Sequence, residues 1–479
     1  MRKTAFFFTY LVVALSIGIF LAVAIPKFLY PYEAHWMEGS MLDQIKRVMG
    51  GKPLYCAPSL SYVPWLYEPL YHYSAALFGY FAGLSFPIAR IPSVLATIAT
   101  VSLLYFVVRK ETKSVPLSIA SIGLYLAAFG KVEYSYVAAR LDPLFNFFLV
   151  AAFVAVYYSR SNRSLILAAL LLALCYFTKQ TALVFAPSLI LYLWRIRNWK
   201  PAVVFTAAFC FFVLGGIFLF DRLYDGWFSY YTLLVPQGKG KTIRWAYAFD
   251  GLIFYFILRC WLVTTITAFM AVPVLLVKRS RGTPQPVAYF GLFFLTSLAA
   301  GFFGILNYGG GHNVLLPAAA SCAIFLPLAA HKYYSDKKFV RFALWAVPLQ
   351  IIVLISNPWK DPRNVVSTSD RLNQEQFFAY ASGLSGEIWI PYHGFTSKYT
   401  GKTSYADIVA IRDVLLVGDT SSHRLQHDLD TALANKHWST IISDVHDTWP
   451  NYEVVDRNLN RNKVHVNDDT MLYIFRPQK

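Results

Sequence analysis

The sequence predicts a membrane protein that is all-α across the bilayer, with about eleven transmembrane helices, an amphipathic loop on the outer face and a small extracytoplasmic α/β domain at the C-terminus. Three observations carry that prediction. Of 479 residues, 57% are hydrophobic and only 14% charged, with a mean hydropathy of +0.45, which excludes a soluble chain with one ordinary core. Membrane-length apolar runs recur up to residue 356 and stop there. Finally, Lys and Arg fall in short groups between those runs, and with the N-terminus inside, every group lies on one side of the membrane.

The formal charge of +17 would point to nucleic acid in a soluble chain. Here the basic residues read as topology signals, so nucleic acid is not an expected partner. The cysteines build no disulfide framework: Cys175, Cys210, Cys260 and Cys322 lie in apolar segments and only Cys56 in an outer loop. The expected location is the inner or plasma membrane of the cell, multi-pass, with a cytoplasmic N-terminus.

Arg2 and Lys3 precede an apolar run, Ala5–Ile25, that is long for a signal peptide and reads as the first span, although Ala22-Val23-Ala24 mimics a cleavage site. The first outer loop, residues 30–85, follows. Its stretch Tyr32–Tyr73 is too polar and too broken by Gly and Pro to cross a bilayer. Within it Met41, Leu42, Ile45, Val48 and Met49 recur at helical spacing opposite Gln44, Lys46 and Arg47, which predicts a short helix on the membrane surface stopped by Gly50-Gly51. Glu38 falls on the apolar stripe at the N-terminal end of that helix. An ionised carboxylate there needs a helix terminus, a cation or a substrate to compensate it, so Glu38 is a candidate for catalysis, with capping or a Lys/Arg pair as the structural alternative. Glu33, Asp43 and Glu68 add acids nearby. Trp36, Trp65, Tyr67 and their aromatic neighbours anchor the loop at the interface and offer faces for sugar rings.

Ten further apolar runs follow: Phe86–Val108, Val115–Gly130, Pro143–Tyr158, Leu165–Phe177, Thr181–Trp194, Ala202–Phe220, Gly251–Val277, Val287–Leu306, Val314–Ala330 and Phe342–Ser356. In the second outer loop, Asp142-Pro143 reads equally as N-cap with N1 and as a functional acid. Arg140 beside it suits bidentate binding of a phosphate. The runs flanking Lys179 and Gln180 are about 13 and about 14 residues long, short of the roughly 20 a span requires, so that turn should sit below the membrane surface. A lysine recessed in this way lines a cavity or pairs with an acid. The Leu234–Arg244 loop contains GKGKT without the spacing of a nucleotide-binding loop or a preceding strand. In the Asn307–Asn313 stretch, His312 and Asn313 are candidates for contacting a sugar. His35, Glu38 and His72 make a thin metal constellation that no recognised motif supports, and no bound metal or other cofactor is predicted, a divalent ion having no support.

From Asn357 polar residues rise sharply. Short β-like runs (Glu387–Pro391, Ser439–Ser443, Tyr452–Val455, Met471–Phe475) alternate with helix-like stretches such as Leu425–Lys436, giving two domains: 1–356 in the membrane and 357–479 as an α/β domain over the outer loops.

These pieces in this order resemble the C-type (GT-C) integral membrane glycosyltransferases, the class of the protein O-mannosyltransferases and aminoarabinose transferases. The matching elements are Glu38-Gly39 after the first helix, Gly50–Tyr55, Tyr67–Leu70, Ala89–Ser93, Ala139–Pro143, Thr178–Gln180 and Asn313–Pro317. The resemblance implies a polyprenyl-phosphate sugar as donor, its phosphate at basic residues, with a glycan, lipid or protein acceptor. It also implies an acid of the first outer loop as general base; this chain has Met37-Glu38 where many members have Asp-Glu, a departure that leaves Glu38 and Glu33 as the alternatives, with Glu38 preferred. Arg140, Lys179, Gln180, Asp142, Tyr67, His312 and Asn313 would bind substrate. The competing readings are a lipid-linked-sugar or small-molecule transporter, against which the absence of an internal repeat counts, and a ligase or polymerase of lipid-linked glycans.

Overall fold

The computed structural model describes residues 2–239, 244–271, 285–306, 310–334, 340–355, 366–443, 445, 447–458 and 472–478. The inner turn with Lys278, Arg279 and Arg281, the Lys241-Thr242 part of the outer loop, Asn307, Met471 and the 356/357 domain boundary lie outside the described residues.

The chain is a multi-pass membrane protein. Among the described residues five helices are long and apolar enough to cross a bilayer, within Thr4–Leu29, Phe86–Thr112, Trp199–Leu223, Pro286–Leu306 and His312–Lys332, and six shorter apolar helices accompany them. The first half of the chain forms α1 (Arg2–Leu29), α2 (Glu38–Met49), α3 (Leu70–Ala82), α4 (Phe86–Thr112), α5 (Val115–Ala127), α6 (Asp142–Tyr158), α7 (Asn162–Tyr176), α8 (Ala186–Ile196) and α9 (Trp199–Leu223). α5 packs against α1, α4 and the Leu316–Tyr334 helix, and α6 lies between α4 and α7. α9 packs on α7 and α8 and leaves Phe211, Leu214, Phe218 and Leu219 exposed. A rim of large apolar side chains on a membrane helix is the face that meets lipid.

A second core lies apart from that of the bundle. Met41, Leu42 and Ile45 of α2, Tyr71 and Ala75 of α3, and Phe228 and Tyr231 pack with Trp389, Phe395, Ile408, Leu425 and Trp438 of the C-terminal region. That region carries a four-stranded sheet of β1 (Ile388–Trp389), β2 (Thr440–Ser443), β3 (Tyr452–Asn458) and β4 (Leu472–Pro477) in the order β1-β2-β4-β3. β1 pairs parallel to β2, and β4 runs antiparallel to both β2 and β3. Thr420–Ala434 supplies the expected helix, capped by Asp419 accepting from Ser422 N–H.

The sequence places α2 open on a membrane surface, and its ends are as expected, with Gly50 closing the helix and Gly51 in the left-handed region (φ 68°). Its surroundings differ. Gln44, on the polar face, is buried, donating to the Ser40 carbonyl (3.2 Å) and accepting from Trp65 N–H (3.2 Å). Beside it, Asp43 and Ser40 meet the C-terminal region: Asp43 accepts from Phe395 N–H (2.8 Å), and Ser40 donates to Asp407. The polar side of α2 is thus partly covered by protein, at Ser40, Asp43 and Gln44, while Lys46 stays exposed. α3 also forms within what reads from sequence as one continuous loop.

Gly39 and Gly394 cross at this junction, where a Cβ on Gly39 would run into the Gly394 carbonyl and one on Gly394 would lie 2.6 Å from Asp43 Oδ2. Gly394→Ala should therefore undock the domain, read as faster limited proteolysis within 366–443 and a lower melting temperature; wild-type protection would contradict this close packing. Burial pushes the Asp43 and Asp407 carboxyls up to about 6. Between about pH 4 and 6 the folded chain holds protons that the unfolded chain releases, so this contribution to stability falls as pH rises through that window. Asp43→Asn should flatten the decline, which melting curves at pH 4.5 and 7 would measure.

Candidate functional site

The first turn of α2 begins on a saturated ion pair. Glu38 Oε1 accepts from Arg90 Nε (2.8 Å) and Ala139 N–H (2.6 Å), and Oε2 from Arg90 Nη2 (2.6 Å) and Ala34 N–H (2.8 Å). The remaining Arg90 donors go to the carbonyls of Phe28 (3.3 Å), Tyr30 (2.5 Å) and Tyr32 (2.7 Å). All five guanidinium N–H groups and both carboxylate oxygens are engaged. Burial alone would raise the Glu38 pKa, but Arg90 and the two backbone donors outweigh it and hold the carboxylate below its ordinary range. Glu38 thus has no lone pair left for an incoming hydroxyl, and the pairing alternative describes it, with Arg90 as partner. Arg90 lies near the start of α4, and a charge inside a span-length apolar run is the signal that could have announced a buried partner.

Glu33 sits beside this pair in a different state. Its Oε1 accepts from Gly39 N–H (2.9 Å) and its Oε2 faces His393 Nδ1 (2.7 Å). Burial pushes the carboxyl up to about 7, against the pull of His393 and the Gly39 N–H. His393 comes from the C-terminal domain, and nothing in its sequence surroundings marks it.

Arg140, Asp142, Lys179 and Asn313 come together. Asp142 Oδ1 accepts from Lys179 Nζ (2.9 Å) and Asn313 Nδ2 (2.9 Å), while Oδ2 lies 3.1 Å from Arg140 Nε, an ion-pair distance but off-line for a hydrogen bond. Asp142 opens α6 without capping it; its side chain turns to the cations instead. Arg140 Nη1 reaches His35 Nε2 (2.8 Å) and lies 3.6 Å from Glu133. Glu133 accepts from His312 N–H (2.6 Å), and the His312 ring packs on Tyr255 with centroids 4.5 Å apart. Lys179 is 9% exposed, recessed and paired with an acid, which the short flanking runs foretell. Asp142, Lys179 and Asn313, with Phe145, Phe185 and Leu316, line a cavity of about 10 Å³, the scale of one water.

Gln180 serves a third acid. With its amide nitrogen turned inward it donates to both oxygens of Glu68 (3.1 and 3.0 Å). Glu68 is fully buried, and burial lifts its pKa well above the ordinary value. His72, one turn on, is buried with neither ring nitrogen bonded, and burial drops it to about 4. Tyr67 stacks on Trp65 (centroids 5.9 Å). Among the described residues no group of three His, Cys, Asp or Glu side chains is placed to hold a metal.

The chain aligns with the crystal structure of ArnT from Cupriavidus metallidurans bound to undecaprenyl phosphate at a TM-score of 0.59 and 10% identity, covering 97% of each chain. For apo ArnT the TM-score is 0.56 at 10% identity, again over 97% of both chains. This is the GT-C fold. No protein-family model and no curated protein sequence matches the chain, so the GT-C likeness is one of architecture over nearly the whole length. Within that fold the buried charges sit where α2, α4, α6 and the turn before α8 begin, with the neutral Asn313 just before the Leu316–Tyr334 helix.

Removing the charge of Glu38 leaves Arg90 buried and uncompensated, a loss of about 3–5 kcal/mol. Glu38→Gln should accordingly lower the melting temperature in detergent steeply, and Glu38→Leu with Arg90→Met should recover much of it. A Glu38→Gln protein of wild-type stability would contradict the structural role.

Proposed function

We propose that the protein transfers a sugar from a polyprenyl-phosphate donor to an acceptor hydroxyl on the extracytoplasmic face of the membrane. The observation that carries this reading is the buried Arg140–Asp142–Lys179 cluster at helix ends in a GT-C fold, the fold in which ArnT was crystallised with undecaprenyl phosphate. A sugar leaving its lipid phosphate puts charge on the departing oxygen. Two cations already desolvated and fixed by Asp142 stabilise that charge with little reorganisation.

The base is Glu33 rather than Glu38. Glu33 has a carboxyl tuned to about 7, close to working pH, where a general base is most effective. It also keeps acceptor capacity beyond its bonds to Gly39 and His393. In the proposed step the acceptor oxygen bonds to the anomeric carbon and its proton passes to Glu33. The bond from that carbon to the phosphate oxygen breaks, and polyprenyl phosphate leaves with the electron pair. Asn313, His312 and Tyr67 would contact the sugar, and Gln180 would keep Glu68 in place. The α/β domain and the first outer loop lie on the outer face in this reading, and His393 brings the domain to the base.

The test is release of polyprenyl phosphate from a panel of polyprenyl-phosphate sugars by the purified protein in nanodiscs, with no ion gradient and with extracted envelope components as acceptor. Glu33→Gln should slow release by ~10²–10⁴-fold and Lys179→Ala by ~10²–10³-fold, each rate taken per folded molecule because both side chains are buried and paired. No release from any donor would refute the transferase; full activity of Glu33→Gln would refute the base.

A further inference from the structure

A groove of about 380 Å³ runs between α2, the 61–65 segment and residues 404–407 of the C-terminal domain. Its size falls in the range of small-molecule sites, and its chemistry differs from that of the buried cluster. Asp43 and Asp407 line it, together with Lys46, Lys52, Trp65 and Tyr405. Lys46 and Lys52 are exposed, whereas Arg47 is already engaged by the Pro53 carbonyl (2.7 Å) and Cys56 Sγ (3.3 Å). Asp43 and Asp407 are half-buried: Asp43 accepts Phe395 N–H on Oδ2, and Asp407 accepts Ser40 Oγ on Oδ2 and Val409 N–H on Oδ1, one bond to an oxygen that can take two. The Trp65 indole N–H is buried without a partner.

We propose that this groove binds the acceptor as a hydroxyl-rich sugar unit carrying a phosphate. Carboxylates accept from paired sugar hydroxyls, an aromatic face covers the ring's C–H side, and exposed ammonium groups take the phosphate. The lining is too polar for a lipid tail, which separates it from a donor site. It also communicates with the buried cluster through side chains in contact. Trp65 lies 5.7 Å from Trp36, whose ring is 6.1 Å from that of His35, the partner of Arg140. Both walls are needed to form the groove, so the C-terminal domain supplies half of the acceptor site.

This inference rests on the transferase reading, but its test does not require turnover. The full chain in nanodiscs is examined by saturation-transfer NMR with glucose 6-phosphate and with glucose. Ring protons of glucose 6-phosphate should receive saturation from the wild type. Lys46→Ala with Lys52→Ala, at exposed positions that leave the fold intact, should weaken binding roughly tenfold, the scale of one charge-assisted contact. Asp43→Asn should weaken it as well, and glucose alone should bind no better to the wild type than glucose 6-phosphate does to the lysine variant. No saturation of glucose 6-phosphate, equal signals from the two sugars, or equal signals from wild type and variants would overturn the proposal. Sugar release from the lipid donor is read separately, so failure of one leaves the result of the other intact.

Discussion

The ion pair between Glu38 and Arg90 is the constraint on which the rest of the structure depends. Arg90 gathers three carbonyls from the end of α1 and the segment after it, and Glu38 gathers backbone N–H groups from Ala34 and Ala139. One pair thus fixes the exit of the first helix, the start of α2, the start of α4 and the segment between α5 and α6. A buried pair of this kind is weak evidence for net stability against an apolar replacement, because two ions must be desolvated. Its value is geometric, since every donor and acceptor is satisfied in one arrangement only. Arg140 follows Ala139 directly and reaches back to His35, so the cationic cluster inherits its position from that pair.

The acids between α1 and α3 divide by environment. Glu38 meets a guanidinium and stays ionised; Glu68 meets an amide and is favoured neutral; Glu33 meets an imidazole and is tuned to about 7. Carboxylates within a few dozen residues thereby acquire different protonation states, the arrangement from which acid and base roles are drawn. The C-terminal domain takes part in this division through His393, and through Phe395 and Asp407 at the polar face of α2.

Much of this was legible in the sequence, and the failures share a cause. The bundle follows from hydropathy and the spacing of basic residues, and the strands of the sheet from short alternating runs. The C-terminal end of α2 follows from Gly50 and Gly51. The recess of Lys179 follows from the brevity of the runs around it, because span length is a one-dimensional quantity. Pairings between segments distant in the chain are not. Glu38 with Arg90, Glu33 with His393, and Gln180 with Glu68 are set by how the segments dock, and part of the polar side of α2 is covered by a C-terminal region more than 300 residues later. Single-sequence periodicity reports that a face is polar; it does not report whether water or protein covers it.

The most direct test of the central claim, that the buried cations hold the lipid phosphate while Glu38 remains locked on Arg90, is an electron cryo-microscopy structure of the chain with a polyprenyl phosphate bound. The prediction is a phosphate within ~4 Å of Lys179 Nζ or the Arg140 guanidinium, with the Glu38–Arg90 pair unchanged. A phosphate bound elsewhere, with Lys179 still closed on Asp142, or a Glu38 released from Arg90 toward the ligand, would contradict it.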